Sequence, residues 1–418
     1  MSTGDTSILR PLERRQSDDG SAGPRILLYS HDSAGLGHLR RCLTLADALV
    51  AAMPSAMILL VSGSPCATAF PTPPRVEIVK LPSISKDGSG AYVSRSLPTS
   101  LSFSLRMRRA LLREAMETFE PDLMVVDHQV IGLQGEFLPL LEAADTRGIK
   151  TILGLRDIID SPEAVAREWS GEETRWALRE AYDRVCVYGS RDVFDTEREY
   201  PMPPELGERV EFTGYVVRPT GARPPAIPSL RPEVLVTAGG GEDGAQRIDA
   251  YLRAIEDDPP SWDSVIVTGP LMSVSETRRL VRRARLTGTA TVHRFHADLP
   301  RLLQRAQAVV SMAGYNTCAE ILACRRRCVL LPRTFPRYEQ LIRAERLQSL
   351  GLARNLPHFD ARLVREATAV AVEEALSGKP LPLPPSLEGA SNLALIAAEL
   401  LGESPISPSS ASEESLVS

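Results

Sequence analysis

The stretch VVSMAGYNTCAEILACRRRCVLLPRTFPRYEQ, residues 309–340, indicates the fold more directly than any other part of the chain. An apolar strand leads into a small-residue turn at Gly314, and the helix that follows carries Glu320 in its second turn. A second apolar strand, a proline loop and a helix with Glu339 and Gln340 come next. In open α/β folds such a strand–turn–helix unit directs backbone N–H groups toward an anionic ligand at the carboxyl edge of a parallel sheet. A carboxylate one turn further along can accept both hydroxyls of a ribose, so the stretch predicts a nucleotide site.

The same alternation of apolar runs and amphipathic helical stretches extends over most of the chain, as in parallel sheets with crossover helices. Strands are predicted at 25–30, 57–62, 76–80, 122–126, 150–154 and 184–188 in the first half, and at 233–238, 264–268, 290–293, 308–311 and 328–331 in the second. We therefore expect an α/β protein with two Rossmann-like domains facing a central cleft.

Composition suggests where these domains begin and end. Polar residues dominate both ends of the chain, and residues 218–232 contain five prolines, which is typical of a semi-rigid linker. The predicted parts are a disordered tail (1–24), a first domain (25–217), the linker (218–232), a second domain (233–385), a last helix that crosses back to the first domain (386–402) and a second tail (403–418).

Charge and cysteine content exclude several classes of protein. The 418 residues are 43% apolar and 24% charged, as in an ordinary globular protein, and the net charge of −5 argues against a dedicated nucleic-acid binder. The six cysteines form no Cys-x-x-Cys pair and have no histidines at ligand spacing, so we predict buried thiols and no metal site. The sequence shows neither a signal peptide nor an apolar run of about 18 residues, and we expect a cytoplasmic protein.

The first domain begins with RILLYSHDSAGLGHLRRCLTLADALV, residues 25–50. Gly35 and Gly37 allow a substrate to approach the backbone, and His38 begins a helix. A neutral imidazole in this place can act as a general base near neutral pH. The simpler alternative is that His38 only caps or packs against its helix.

Polar residues follow two further predicted strands of this domain. Asp127 and His128 come directly after one strand, and Arg156 and Asp157 come after the next. Asp127 is a candidate second acid/base or a carboxylate that orients His38, although a strand-end aspartate often only caps a loop. His128, Arg156 and Asp157 are candidates for binding an acceptor, and the last two can instead pair with each other.

A glycine run opens the second domain in VLVTAGGGEDGAQ, residues 234–246. The N–H groups of Gly239, Gly240 and Gly241 lie between a predicted strand and a predicted helix, where they can cradle a phosphate. Glu242 and Asp243 follow at once and would repel such a ligand. These two carboxylates must therefore point away or help to bind something else.

These motifs together resemble the MurG-like GT-B glycosyltransferases. Gly314, Thr317 and Glu320 match the Gly-x-x-Thr-x-x-Glu core of that family, and Glu339 and Gln340 take the place of its Gln-Gln pair. The resemblance extends over most of the two predicted domains. It is closest to an uncharacterised bacterial branch of predicted glycosyltransferases.

The resemblance implies further donor-binding residues. Arg218 corresponds to an arginine that reaches the donor diphosphate, and Gln340 to a residue that contacts hydroxyls of the donor sugar. Phe295 would flank the base and the backbone of His296 would read its edge. Because Glu339 replaces an amide, N-acetylglucosamine need not be the sugar that this chain prefers.

The resemblance also implies the reaction. It would be an inverting, metal-independent transfer from a nucleoside-diphosphate sugar, most simply a UDP-sugar, to an acceptor hydroxyl. His38 would be the general base, and Asp127 would either assist His38 or be the base in its place. No cofactor is implied, and the acceptor would be lipid-linked or a small molecule. The segment GLGHLRRCLTLADAL, residues 35–49, is equally similar to nucleotide-sugar hydrolases of pseudaminic acid synthesis. A hydrolase that releases the free sugar and a non-catalytic nucleotide-sugar-binding protein are therefore the alternatives.

Residues 99–119 predict an amphipathic helix with Arg106, Arg109 and Arg113 on one face. Such a face is usually just solvated, but it can also lie on anionic lipid. A peripheral contact with the inner face of the plasma membrane is the corresponding expectation.

Overall fold

The computed structural model describes residues 23–31, 37–87, 91–218, 231–256, 258–296 and 298–406. The predicted tails fall almost entirely outside these ranges, as do most of the predicted linker and Gly35. The described chain forms two parallel sheets, each covered by helices.

The first domain is built on a seven-stranded sheet in which all neighbouring strands are parallel, in the order β3-β2-β1-β6-β7-β8-β9. A short antiparallel hairpin, β4–β5, accompanies it. The central strands are apolar and buried along most of their length because both faces of a parallel sheet are covered. The strands are β1 (Arg25–Ser30), β2 (Met57–Ser62), β3 (Val76–Lys80), β4 (Ile84–Lys86), β5 (Tyr92–Ser94), β6 (Leu123–Asp127), β7 (Lys150–Arg156), β8 (Arg184–Tyr188) and β9 (Val210–Phe212).

The second domain is built on a six-stranded parallel sheet in the order β12-β11-β10-β13-β14-β15. Its order reverses at β10, as the order of the first sheet reverses at β1, and ligands bind at such switch points in open α/β sheets. The strands are β10 (Glu233–Thr237), β11 (Asp263–Val267), β12 (Ala290–His293), β13 (Ala308–Ser311), β14 (Arg327–Leu330) and β15 (Arg354–Asn355).

Helices connect the strands of both sheets. Those of the first half are α1 (Gly37–Ala52), α2 (Leu101–Phe119), α3 (Leu138–Arg147), α4 (Pro162–Glu168), α5 (Glu172–Trp176) and α6 (Thr196–Glu199). Those of the second half are α7 (Ala245–Glu256), α8 (Val274–Thr287), α9 (Leu299–Arg305), α10 (Tyr315–Ala323), α11 (Glu339–Ser349), α12 (Ala361–Leu376) and α13 (Gly389–Leu401). Several begin at side-chain caps that accept a backbone N–H hydrogen bond, as Ser100 does for α2 and Asp360 for α12.

All eleven predicted strands are present, each displaced by no more than two residues at either end. The α/β fold class with two parallel sheets is confirmed. The sequence did not predict β4, β5, β9 and β15, which have three residues or fewer and therefore carry no apolar periodicity of their own.

The chain passes between the domains twice, at neighbouring places. Tyr215 donates its N–H to the carbonyl of Ser386 at 2.8 Å, and Gly389 donates to the carbonyl of Tyr215 at 3.1 Å. A Cβ on Gly389 would lie 2.3 Å from the carbonyl oxygen of Gly214, so only glycine fits where the two segments meet. Beyond this point α13 returns to the first domain and packs along α1.

Candidate active site

A cavity of about 270 Å³ lies between the two domains, at the carboxyl ends of β1, β10 and β13. It contains nine of the residues predicted from sequence, namely Gly37, His38, Arg156, Gly239, Gly240, Gly241, Gly314, Thr317 and Gln340. Another cavity, of about 520 Å³, lies beside β14 and β15 and contains none of the predicted residues. The residues predicted from sequence therefore gather at the cavity between the domains.

His38 is held from behind by a buried carboxylate. Its Nδ1 lies 2.6 Å from Oδ2 of Asp127, at the end of β6, and Arg41 donates to both oxygens of Asp127 at 2.8 and 2.7 Å. Burial alone would raise the pKa of Asp127, but Arg41 and His38 hold it well below its usual range. Nδ1 of His38 also lies 2.8 Å from the Arg41 guanidinium, but the contact with the carboxylate is the shorter one. Because an ionised carboxylate only accepts hydrogen bonds, this contact favours the tautomer with the proton on Nδ1 and the basic lone pair on Nε2.

The charge state of His38 follows from its surroundings. Burial lowers its pKa to about 4, with Asp127 opposing the shift and Arg41 adding to it. The imidazole is therefore neutral at neutral pH and able to accept a proton.

Two more imidazoles surround His38. The ring centroids of His31 and His128 lie 4.3 and 5.1 Å from that of His38, and burial holds the pKa of both well below the usual value. Nδ1 of each is buried without a hydrogen-bond partner among the described residues. The backbone of His128 is also strained, because its φ of 71°, just after β6, lies in the left-handed region that few residues other than glycine adopt.

Ligand atoms of His31, His38 and Asp127 lie within 4.8 Å of one another, a spacing compatible with a shared metal ion. Arg41, however, already donates to both oxygens of Asp127. A guanidinium in that position supplies the positive charge that a metal would bring, so the donor set does not fit an ion.

Arg156 and Asp157 end up in different environments, and they do not pair with each other. Arg156 lines the cavity and donates to Nε2 of His128 at 3.0 Å, and burial lowers its pKa to about 10. Asp157 is fully buried and accepts from Arg343 of α11, at 3.1 and 2.7 Å, and from the hydroxyl of Tyr215. Its oxygens are thus used in an ion pair between the domains.

The glycine loop follows β10, and α7 begins at Ala245, after the two acidic residues that follow the glycines. Gly239 and Gly241 have φ of 62° and 100°, and a Cβ on Gly241 would lie 2.5 Å from the carbonyl oxygen of Thr268. Both acidic residues that follow the glycines line the cavity. Asp243 is neutralised by Arg333, which donates to it at 2.7 Å.

Glu320 lies on α10 with its carboxylate buried between the domains. Oε1 accepts from Arg40 of α1, and Oε2 has no partner among the described residues. Burial raises the pKa of Glu320, an effect that Arg40 and Arg218 oppose. Nearby, the amide of Asn316 donates to the carbonyl of Gly37 at 3.0 Å, so the two helix starts face each other across the cleft.

The start of α11 forms the remaining wall of the cavity. Gln340 accepts from the backbone N–H of Arg333 at 3.0 Å, and Glu339 accepts from the Arg333 guanidinium at 2.6 Å. Glu339 and Gln340 are both buried, and Oε2 of Glu339 has no partner among the described residues.

Three other predicted donor residues are not in the wall of the cavity. Arg218 is exposed, although it is close enough to influence the pKa of Glu320. The side chain of Phe295 is 54% exposed, and that of His296 is partly buried.

Sequence reasoning missed several residues of this site, namely Arg40, Arg41, Tyr315, Arg333 and Arg343. The two arginines after His38 were visible in the motif, but their partners Glu320 and Asp127 are distant in sequence. The hydroxyl of Tyr315 accepts from the backbone N–H of Val216, 99 residues earlier in the chain, at the first crossing between the domains.

No family model matches the chain. It is 28% identical over 180 residues to a UDP-N-acetylglucosamine–N-acetylmuramyl-(pentapeptide) pyrophosphoryl-undecaprenol N-acetylglucosamine transferase of Rhodopseudomonas palustris, covering 41% of this chain and 48% of the relative. The transferase of the same description from Cytophaga hutchinsonii is 25% identical over 332 residues, covering 74% and 77%. The chain spans about half the length of the first of these relatives.

Solved structures agree on the architecture. The chain superposes on Acinetobacter baumannii MurG with a TM-score of 0.57 at 14% identity, covering 90% of this chain and 99% of that one. It superposes on the calicheamicin glycosyltransferase CalG4 with a TM-score of 0.59 at 17% identity, covering 91% and 98%. The chain thus has the GT-B fold of glycosyltransferases and is similar in sequence to the MurG-type N-acetylglucosamine transferases.

Proposed function

We propose that the chain is an inverting glycosyltransferase that moves a sugar from a nucleoside-diphosphate sugar, with a UDP-sugar as the expected donor, to an acceptor hydroxyl. The observation that carries the proposal is the His38–Asp127 pair, at 2.6 Å, facing the glycine loop 239–241 across one cavity. A positioned base and a phosphate-binding loop are the two parts that such a transfer requires.

The donor side follows from the second domain. The N–H groups of Gly239, Gly240 and Gly241 and the start of α10 would hold the diphosphate, with Arg218 adding charge from the edge. Glu320 would accept the ribose hydroxyls, and Thr317 lies on the same face of α10. Gln340 would contact the sugar.

The nucleobase of the donor would lie against the partly exposed segment from His293 to His296. Phe295 offers an accessible ring on which the nucleobase can pack, and the backbone of His296 would form hydrogen bonds with its edge. This assignment comes from the family resemblance and not from a contact in the cavity.

The acceptor side follows from the first domain. Nε2 of His38 takes the proton of the acceptor hydroxyl while its oxygen attacks the anomeric carbon from the face opposite the diphosphate. The bond from the anomeric carbon to the diphosphate oxygen breaks, and the nucleoside diphosphate leaves with the electron pair. Asp127 keeps the proton on Nδ1 and stabilises the imidazolium that forms.

No metal is needed in this scheme. Helix starts and guanidinium groups offset the charge of the leaving diphosphate, and the cluster around Asp127 already contains Arg41. His128 and Arg156 lie beside His38 and would orient the acceptor.

We further propose that the acceptor is lipid-linked and reaches the cleft from an anionic membrane surface, at the inner face of the plasma membrane. The curated relatives act on a pyrophosphoryl-undecaprenol substrate. Exposed Phe103, Met107 and Leu111 form a stripe along α2. The described residues include no helix that is long and apolar enough to cross a bilayer.

Acceptor-free turnover tests the function. The purified protein is incubated with UDP-, dTDP- and GDP-sugars while nucleotide release and calorimetric binding are followed together. Tight binding of one donor with negligible release, and fast release once a lipid-linked hydroxyl acceptor is added, is the expected result. His38→Ala should keep donor binding and lose at least about 100-fold in turnover, because only the base is removed.

Other outcomes would favour the alternatives. Rapid release of free sugar without acceptor would make the protein a hydrolase, a reading that the 35–49 motif also supports. Binding without turnover on any acceptor would make it a nucleotide-sugar-binding protein, and unchanged turnover in His38→Ala would exclude His38 as the base.

A further inference from the structure

Arg40 occupies the position at which the proposed donor would bind its ribose. Its guanidinium, on α1 of the first domain, donates to Oε1 of Glu320 on α10 of the second. The Glu320 carboxylate is 8% exposed, and its Oε2 has no partner among the described residues. Oε1 is thus hydrogen-bonded, whereas Oε2 is buried without a donor, which is energetically unfavourable. A hydroxyl group that donates to Oε2 would remove this penalty.

The guanidinium also lies within reach of the phosphate-binding loop. Arg40 lines the same cavity as Gly239, Gly240, Gly241 and Gly314. Its side chain remains 31% exposed, so it can change partners without rearrangement of the core. An anion placed on the glycine loop would therefore share the cavity with a guanidinium on the opposite wall that can donate two hydrogen bonds.

We propose that Arg40 exchanges partners when the donor binds, leaving Glu320 to the ribose hydroxyls and pairing with the donor diphosphate from across the cleft. The inference rests on the proposed function, since it takes the donor to be a nucleoside diphosphate sugar. Arg40 is then a donor-binding residue contributed by the acceptor domain, and its movement couples occupancy of the donor site to contact between the domains.

The exchange has an energetic signature. A nucleoside without phosphates must break the Arg40–Glu320 pair and offers the guanidinium nothing in return. A nucleoside diphosphate breaks the same pair and supplies a new anionic partner. Removing Arg40 should consequently raise the affinity for the nucleoside and lower the affinity for the nucleoside diphosphate. The reason is that the free energy needed to break the Arg40–Glu320 pair reduces the apparent affinity of any ligand that must break it.

The test compares dissociation constants of uridine and UDP for the wild type, Arg40→Ala and Arg40→Lys. We expect Arg40→Ala to weaken UDP by about 10-fold or more, as for a lost charge-assisted hydrogen bond, and to tighten uridine by about 3-fold. Arg40→Lys should fall between wild type and Arg40→Ala for UDP, because a lysine keeps the charge but loses the planar fork.

Arg346→Ala is the matched control. Arg346 also pairs with a glutamate of the other domain, Glu199, at 2.9 Å, but neither residue lines the cavity. Neither affinity should change in this variant. Thermal melting of each protein checks that the variants are folded.

Three results would overturn the inference. Tighter binding of both ligands in Arg40→Ala would make Arg40 a simple obstruction, and weaker or unchanged binding of both would make it a structural residue. Failure of the wild type to bind either ligand would remove the proposed function as well, and that outcome is distinct because it does not depend on the variant.

Discussion

Three buried imidazoles lie close together at the carboxyl ends of β1 and β6. Their burial determines how the stability of the protein depends on pH. His31, His38 and His128 all have a lowered pKa, mainly because burial disfavours the charged ring. The charged groups that face them are Asp127, Arg41 and Arg156. The unfolded chain therefore binds more protons than the folded chain below about pH 6.5.

Stability should consequently fall as the solution is acidified from neutral pH. The folded state holds His38 neutral down to its pKa of about 4, so its contribution is fully present above the unfolded pKa and is lost as pH falls. For His38 alone the free energy of unfolding should drop by about 2 kcal/mol between about pH 7 and about pH 5. Chemical denaturation at each pH measures this, with the other two imidazoles adding to the loss.

The variant His38→Gln isolates that contribution. Its unfolding free energy should depend less steeply on pH than that of the wild type over the same range. Substitution of the exposed His293 by glutamine is the matched control and should leave the slope unchanged. A wild-type stability that stays constant from about pH 7 to about pH 5 would contradict neutral burial of the cluster.

Individual residues also show where sequence reasoning ends. The glycine loop and the His38–Asp127 pair were predictable because strand ends and glycine turns place such groups at one edge of a sheet. The pairing of Asp157 with Arg343 was not predictable, because Arg343 is 186 residues away and belongs to the other domain. A guanidinium that meets its carboxylate only through tertiary structure leaves no local signal in the sequence.

At the scale of elements, α2 is bound to the loop that follows β6. Arg108, fully buried on its inner face, donates to both oxygens of Glu136 at 2.6 and 2.5 Å, and Tyr29 donates to the same carboxylate. On the outer face Arg109 donates to the carbonyl of Gln134 at 3.2 Å. The sequence predicted the amphipathic helix and its exposed arginines, whereas the burial of Arg108 required the structure.

This geometry gives the proposed membrane contact a defined test. Replacing Arg106 and Arg113 on the outer face by glutamate should weaken binding to vesicles rich in anionic lipid. Each basic residue near such a surface contributes about 1 kcal/mol, so the double variant should lose at least about 10-fold in affinity. Sedimentation with anionic and with neutral vesicles measures the effect.

Arg362→Glu provides the control, since Arg362 is equally exposed but lies on α12 of the second domain. It should bind vesicles as the wild type does. Equal sedimentation of the wild type with neutral and anionic vesicles would argue that α2 is only a solvated face.

At the scale of the whole molecule, a buried ion pair fixes the two domains against each other. Arg343 and Asp157 are both fully buried, and Arg343 also donates to the carbonyl of Ala313 at the turn before α10. Tyr215 and Tyr315 stack beside this pair, with ring centroids 5.6 Å apart. Tyr315 lines the cavity, so this arrangement sets the distance between the two domains at the cavity.

Breaking that pair should be costly. Arg343→Met leaves the buried Asp157 without a cationic partner, with only the Tyr215 hydroxyl and the backbone N–H of Ile158 donating to it, and we expect a loss of about 3–5 kcal/mol in unfolding free energy. Arg346→Met, one turn away on the same helix, removes an exposed pair with Glu199 and should cost less than about 1 kcal/mol. Denaturant unfolding of both variants measures the difference, and equal losses would contradict a structural role for Arg343 between the domains.

The return of α13 means that the first half of the protein is not continuous in the chain. Its surface along α1 is completed by residues 389–401, and the backbone N–H of Ile406 donates to the carbonyl of Ala52 at 3.0 Å. A fragment that stops near residue 218 would leave an apolar groove open to solvent and prone to aggregate. Anyone who divides this protein must supply the α13 segment, fused by circular permutation or added as a peptide, and such a peptide would serve as the small partner in fragment complementation.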